Sequence, residues 1–289
     1  MDAERAAAIL AEIRSKKFTR KEFWSPVKGP NTIRILPSWT LDLSQDFFRK
    51  TAQHWKLGNN QDLWVTCLVE EGYERCPVCE RIDSLYRTKN KDDEAFAKLI
   101  RKQTKVLWNI VDMNNVSKGV QVWQSGITVL GDIVKFVGNS KYGDISHPTT
   151  GRNIDIVMTE AKESKTGWND YAVQPDPERS AIAELEWLEQ MTDLDSLVKT
   201  KSVDEIEYIL TYGELPPEGY TPEAKPVAID TQKPPERYGE PKETKKPAEE
   251  VKTKPEARKE EVLPKSPTQE KDVNALLAKL RKDRADKVK

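Results

Sequence analysis

Short β-type runs divided by turn residues outnumber helical stretches over the first 175 residues, which predicts a mainly β chain with helices. The class is α+β, built on a small Greek-key barrel. Two compositional facts agree. With 37% of its 289 residues apolar and 33% charged, the chain has no run near the ~18 uninterrupted apolar residues that a membrane-spanning helix needs. Pro, Lys and Glu dominate after residue 213, where too little apolar surface exists to offset chain entropy, so one core with long polar flanks is expected instead of two domains.

Residues 3 to 17, with Ala6, Ala7, Ile9, Leu10 and Ile13 among charged residues, read as a short helix leading into a basic arm. Asp2, Glu4, Arg5 and Glu12 stand where a signal peptide has an uncharged segment, so a soluble, cytoplasmic protein is expected. A strand follows over Asn31 to Pro37, bracketed by Gly29-Pro30 and Pro37. Further strands are expected near 46–55, 62–68, 105–113, 119–124, 152–159 and 167–173. Helical spacing marks 92–102 and 128–137, the latter with Leu130, Ile133, Val134 and Val137 on one face.

An acidic helical stretch is expected after 176, with Ala181, Leu185, Leu188 and Met191 as its apolar stripe. Ser202-Val203-Asp204-Glu205 is a capping-box sequence opening another helix. Residues 213–270 read as a disordered linker. Residues 271–289 read as an amphipathic helix, with Val273, Leu276, Leu277 and Leu280 on one face for a partner to cover. Charge is segregated along the chain: residues 1–160 hold 24 Lys/Arg against 20 Asp/Glu, residues 161–220 hold 5 against 14, and residues 221–289 hold 18 against 14. A basic first part can favour a polyanionic ligand.

All three cysteines, Cys67, Cys76 and Cys79, lie within thirteen residues, and His54, one of two histidines, precedes them. In Cys76-Pro77-Val78-Cys79 the spacing lets both thiolates face one ion, and Cys67 and His54 at the ends of adjacent strands would complete a tetrahedron. Such a Cys3His set is a closed structural site for one zinc ion. A redox Cys-x-x-Cys pair is the competing reading; it wants a strand-to-helix context, which the sequence does not signal, and leaves Cys67 unexplained. His147, in a Ser-His-Pro loop, is a substitute ligand.

Seven of eight tryptophans precede residue 170, interleaved with tyrosines and cations, more than a core of this size should need. Unstacked bases require flat π-faces beside cations that follow the phosphate backbone. Tyr86, Phe96, Arg101, Lys102 and Lys105 combine both within 20 residues, and Arg34 and Lys56 are further candidate cations. Any single tryptophan is as readily a core residue.

The order Thr32-Ile33-Arg34-Ile35-Leu36-Pro37, His54, Cys67, Tyr73-Glu74-Arg75-Cys76-Pro77-Val78-Cys79, Leu85-Tyr86 and Arg101-Lys102-Gln103-Thr104 resembles the single-stranded DNA-binding (helix-destabilising) proteins of T-even-type phages. The resemblance covers roughly residues 14 to 212. It implies an oligonucleotide-binding (OB) fold over 23–212 with a zinc subdomain at about 54–105 held by His54, Cys67, Cys76 and Cys79. It implies DNA-facing roles for Tyr73, Tyr86, Phe96, Trp123, Trp168 and Tyr171, with Arg101, Lys102 and Lys105 as the basic strand. Within residues 1–22, Lys16, Lys17, Thr19, Arg20 and Lys21 are similar to the family's cooperativity arm, though out of strict order. In the family the C-terminal tail is strongly acidic, whereas residues 221–289 here are net basic.

No Walker A, His-Glu-x-x-His, Gly-x-Ser-x-Gly or Gly-x-Gly-x-x-Gly motif occurs. The expectation is therefore a non-enzymatic, cooperative coat for single-stranded DNA in phage replication, recombination and repair. It would self-associate along the DNA and meet replication or recombination proteins through its C-terminal region. The alternatives are a zinc-ribbon transcription or RNA-binding factor, which would prefer a defined sequence, and a Cys-x-x-Cys oxidoreductase.

Overall fold

The computed structural model describes residues 23–59, 63–217, 219–220, 275, 277–279 and 282. Its framework is one antiparallel sheet of β1 (Gly29–Ile35), β2 (Phe48–Trp55), β3 (Trp64–Thr66), β4 (Gln103–Asp112), β5 (Val120–Gly126), β6 (Asn153–Thr159) and β7 (Asp170–Pro175). The order is β3-β2-β4-β1-β6-β7, with β5 paired to β4. The long β4 makes this branching possible: 103–108 pair with β2, 110–112 with β1, and 105–111 with β5. Among the described residues no ladder joins β7 to β3 or β5. The helices are α1 (Pro77–Arg87), α2 (Lys91–Ile100), α3 (Ile127–Val137), α4 (Glu186–Gln190) and α5 (Val203–Tyr212).

Period-two alternation sorts β4 into two faces. Val106, Trp108 and Ile110 join Ile33 and Ile35 of β1, Trp123 of β5, and Ile154 and Ile156 of β6 in one core, covered by Val129, Leu130 and Ile133 of α3. Leu107 and Val111 face the other way, with Leu36 and Val122, onto Trp187, Leu188, Met191 and Leu194. Buried Asn109 clamps this cover in place, donating to the carbonyl of Thr192 at 2.8 Å and accepting from its amide at 2.9 Å. A third cluster lies between β2, β3, α1, α2 and α5 and includes Val65, Val78, Ile82, Leu85, Ile100, Ile206 and Ile209.

The expected strands and the 92–102 and 128–137 helices appear within a few residues of their sequence bounds, and α5 starts on the expected capping box. Several expectations are corrected. α1 was not expected; its signal is Pro77 at the first helical position followed by Val78, Ile82 and Leu85 at helical spacing, all buried. The apolar face of α3 is Val129, Leu130 and Ile133, while Val134 is exposed. The acidic helix shrinks to α4: Ala181 and Leu185 are exposed, and Ile182 and Trp187 take the buried places. The core also uses more tryptophan than expected, since Trp24, Trp39, Trp108 and Trp123 are all buried.

The helix at 3–17, the arm residues Lys16, Lys17, Thr19, Arg20 and Lys21, and most of the 213–270 linker lie outside the described residues. So do Val273, Leu276 and Leu280 of the C-terminal face. Leu277 is described, and at 3% exposure it packs into the second core, with Trp39, Leu41 and Trp187. No helix among the described residues is long and apolar enough to cross a membrane.

Candidate metal centre and nucleic-acid interface

Backbone pairing delivers the four candidate ligands. His54 stands on β2 opposite Val65 of β3, and Cys67, directly after β3, donates its amide to the carbonyl of Ala52 at 2.8 Å. Cys76 is the extended N-cap of α1, and Cys79 lies in the first turn beyond it, the turn that Pro77 pre-sets. Cys67 Sγ and Cys79 Sγ are 3.6 Å apart, and His54 Nε2 is 3.5 Å from Cys79 Sγ and 3.8 Å from Cys76 Sγ. All four ligand atoms fall within 4.8 Å of one another. Metal–sulfur bonds of about 2.3 Å in a tetrahedron require sulfur–sulfur edges of roughly 3.8 Å, so the set is the size that one ion demands.

His54 Nδ1 lies 2.9 Å from the carbonyl of Ile100, a contact in which it donates and so leaves Nε2 for the metal. Burial disfavours a charged imidazole, but hydrogen bonds with Cys67 and Cys76 outweigh it and raise His54 to about 9. Hydrogen bonds from Cys67 and Cys79 hold the Cys76 thiol far below its ordinary value. These four donors can hold one metal ion, and their chemistry is compatible with zinc. The redox alternative wants a helix after the pair, and Cys76 does cap one; the two further donors beside the pair, Cys67 and His54, are what distinguish the site. His147 is elsewhere, its Nδ1 accepting from the amides of Thr149 and Thr150 at 3.2 Å.

The candidate nucleic-acid residues divide. Arg101, Lys102 and Lys105 line one open groove of about 560 Å³, with Gln103, Thr104, Gly126, Ile127 and Thr128. Lys102 pairs with Glu70, whereas Arg101 and Lys105 make no ion pair among the described residues. Burial pushes the Lys105 ammonium below its ordinary value. Its Nζ lies 5.9 Å over the ring of Trp55, which in turn stacks on Trp64. Sequence reasoning placed neither tryptophan in the interface. The available signal was their position on two strands close in sequence, within reach of a cross-strand pair.

Tyr73 is 52% exposed, its hydroxyl 3.3 Å from that of Thr200, and Tyr86 is exposed in the last turn of α1. Lys56 is exposed in a left-handed turn after β2. Trp168, at 78% exposure, tips the β6–β7 hairpin. Phe96 and Tyr171 are half-buried, packed against the third and first cores respectively.

Two candidates are overturned. Arg34 is 1% exposed; it donates to the carbonyl of His147 at 2.8 Å and to Ser180 Oγ at 3.2 Å, and burial lowers it to about 10. It is a structural strut. Trp123 is 2% exposed, edge-on to Trp24 and stacked on Trp108, and offers no face to a base.

A search of curated proteins returns no match. A comparison with protein families matches residues 27–212 to the family described as gp32 DNA binding protein like. That span holds the sheet, the four-donor pocket and the basic groove, and it is more than half of the chain. The chain therefore belongs to the gp32-like family of single-stranded DNA-binding proteins.

Proposed function

We propose that the protein is a cooperative, largely sequence-independent coat for single-stranded DNA, acting in phage replication, recombination and repair in the bacterial cytoplasm. The observation that carries this reading is the groove of Arg101, Lys102 and Lys105, open to solvent within the family-matched region, with the Lys105 ammonium 5.9 Å over the ring of Trp55. Cations that follow phosphates and π-faces that stack on any base give affinity without sequence readout. Sharing of one core by β1, β4, β5 and β6 under α3 supports an OB-type barrel. Zinc at His54, Cys67, Cys76 and Cys79 would be structural, since four protein donors leave no open position for a water. The arm within residues 1–22 would join neighbouring molecules on the DNA, and the C-terminal region would meet replication or recombination proteins through surfaces other than Leu277, which the second core already covers.

The test is a fluorescence titration with poly(dT), mixed-sequence single strands and duplex at graded salt. Tight binding to both single strands, weak binding to duplex and a steep fall with salt are expected. Equal affinity for duplex and single strand would reject the reading.

A further inference from the structure

We propose that Trp55 and Trp64 form a base-stacking platform that continues the Arg101–Lys105 groove along the sheet, so that a single strand leaving Lys105 passes onto the two indoles. The inference rests on the single-strand-binding reading and assigns to it a site outside the residues expected from sequence.

The register builds the platform. β2 and β3 place Trp55 directly opposite Trp64, and β2 and β4 place Gln53 opposite Gln103 and Thr51 opposite Lys105. Alternation along the strands therefore puts Thr51, Gln53, Trp55, Trp64, Gln103 and Lys105 on one face. The indole centroids are 5.7 Å apart with planes 29° apart, a stacked pair, and the Lys105 ammonium stands 5.9 Å from the Trp55 centroid. Lys105 also lines the basic groove, so a chain of contacts runs from groove to indoles.

Two features distinguish this pair from ordinary packing. Trp64 keeps 39% of its surface exposed on an edge strand of three residues, where a merely structural tryptophan would lose more water. Trp55 Nε1 and Gln53 Oε1, a donor and an acceptor on the same face, are both buried and have no hydrogen-bond partner among the described residues, and Gln53 is only 8% exposed. Unpaired polar atoms at this depth mark a face whose packing the chain does not complete by itself.

The experiment measures binding of a labelled oligo(dT), long enough for one protein, to the full-length, metal-loaded chain at several salt concentrations. Trp64→Ala should weaken binding roughly 5- to 150-fold, the effect of losing one stacked base. Its salt slope should be unchanged, because no phosphate contact is lost, and Trp64→Phe should recover most of the affinity. Wild-type binding with no loss in Trp64→Ala overturns the platform and leaves the single-strand reading intact, as does a loss accompanied by a shallower salt slope. Failure of the wild type to bind overturns the reading itself. Should Trp64→Ala lose its metal or fold, Trp64→Phe decides: a smaller fluorescence quench than wild type at saturating oligo(dT) supports the platform, and an equal quench overturns it.

Discussion

His54 Nδ1 meets the carbonyl oxygen of Ile100 at 2.9 Å, and Ile100 is the residue immediately before Arg101. One hydrogen bond thus ties a candidate metal ligand to the backbone at the start of the basic groove. The metal would then act on DNA binding at a distance, by fixing His54 and hence the backbone that carries Arg101 and Lys102 into β4, where Lys105 stands.

The first expected outcome concerns that link. Purified protein should hold one zinc per chain by elemental analysis, and Cys76→Ser should lose it. Thermal denaturation should then occur at a lower temperature, because structural zinc contributes folding free energy directly. Affinity for oligo(dT) should fall together with metal content, through the loss of the His54–Ile100 tie next to Arg101. Full affinity in a chelated, metal-free sample would break the proposed coupling.

Arg34 and Trp123 should behave as core residues. Trp123→Ala should cost about 3–5 kcal/mol of stability in chemical denaturation, and Arg34→Ala should destabilise by leaving the His147 carbonyl without its buried partner. Trp168→Ala should leave stability within about 0.5 kcal/mol of wild type. In contrast, Lys105→Ala should weaken binding to every sequence alike and reduce the salt slope by roughly 0.7, the value for one single-strand phosphate contact. A sequence-selective loss in Lys105→Ala would mean base readout.

The capping box of α5 gives a pH-dependent outcome. The Ser202 amide donates to Glu205 at 2.7 Å and holds its carboxyl below the usual range. A depressed carboxylate contributes its stability in full above its unfolded value, and that contribution is lost as pH falls through the lower folded value. Ser202→Ala should cost about 1 kcal/mol near neutral pH. Glu205→Gln should cost less in strong acid than near neutral pH. Unfolding titrations of both variants across the acid range will check this; pH-independent differences for Glu205→Gln would contradict it.

Removal of residues 1–21 should act according to DNA length. Neighbour contacts add free energy only where two proteins share a strand, so the truncated chain should match full length on an oligonucleotide holding one protein and bind poly(dT) more weakly. An equal loss on both would make the arm a plain phosphate-binding tail.

Deletion of residues 271–289 should lower the unfolding midpoint, since it removes Leu277 from the cluster it shares with Trp39, Leu41 and Trp187. The same midpoint with and without these residues in denaturant titrations would show that Leu277 adds nothing to that core.

What the sequence determined by itself was whatever local pattern encodes. Alternating β-branched runs marked the strands, Ser202 and Glu205 marked the start of α5, and the spacing of His54, Cys67, Cys76 and Cys79 marked a four-donor set that the structure gathers within 4.8 Å. The order of residues from Thr32 to Thr104 was enough to bring out the family resemblance. Tertiary structure alone decided which aromatic and basic side chains face water. Tyr73 and Trp123 are equally amphipathic in sequence, yet one is on a surface turn and the other is enclosed by Trp24 and Trp108. Arg34 and Arg101 are both cations beside β-type runs, yet β1 is covered where Arg34 meets His147 and Ser180, and β4 begins in an open groove. Trp55 and Trp64 became a pair only through the β2–β3 register. Exposure and juxtaposition depend on which strands pair and what covers each face, and those contacts join residues far apart in sequence, where no local pattern reaches.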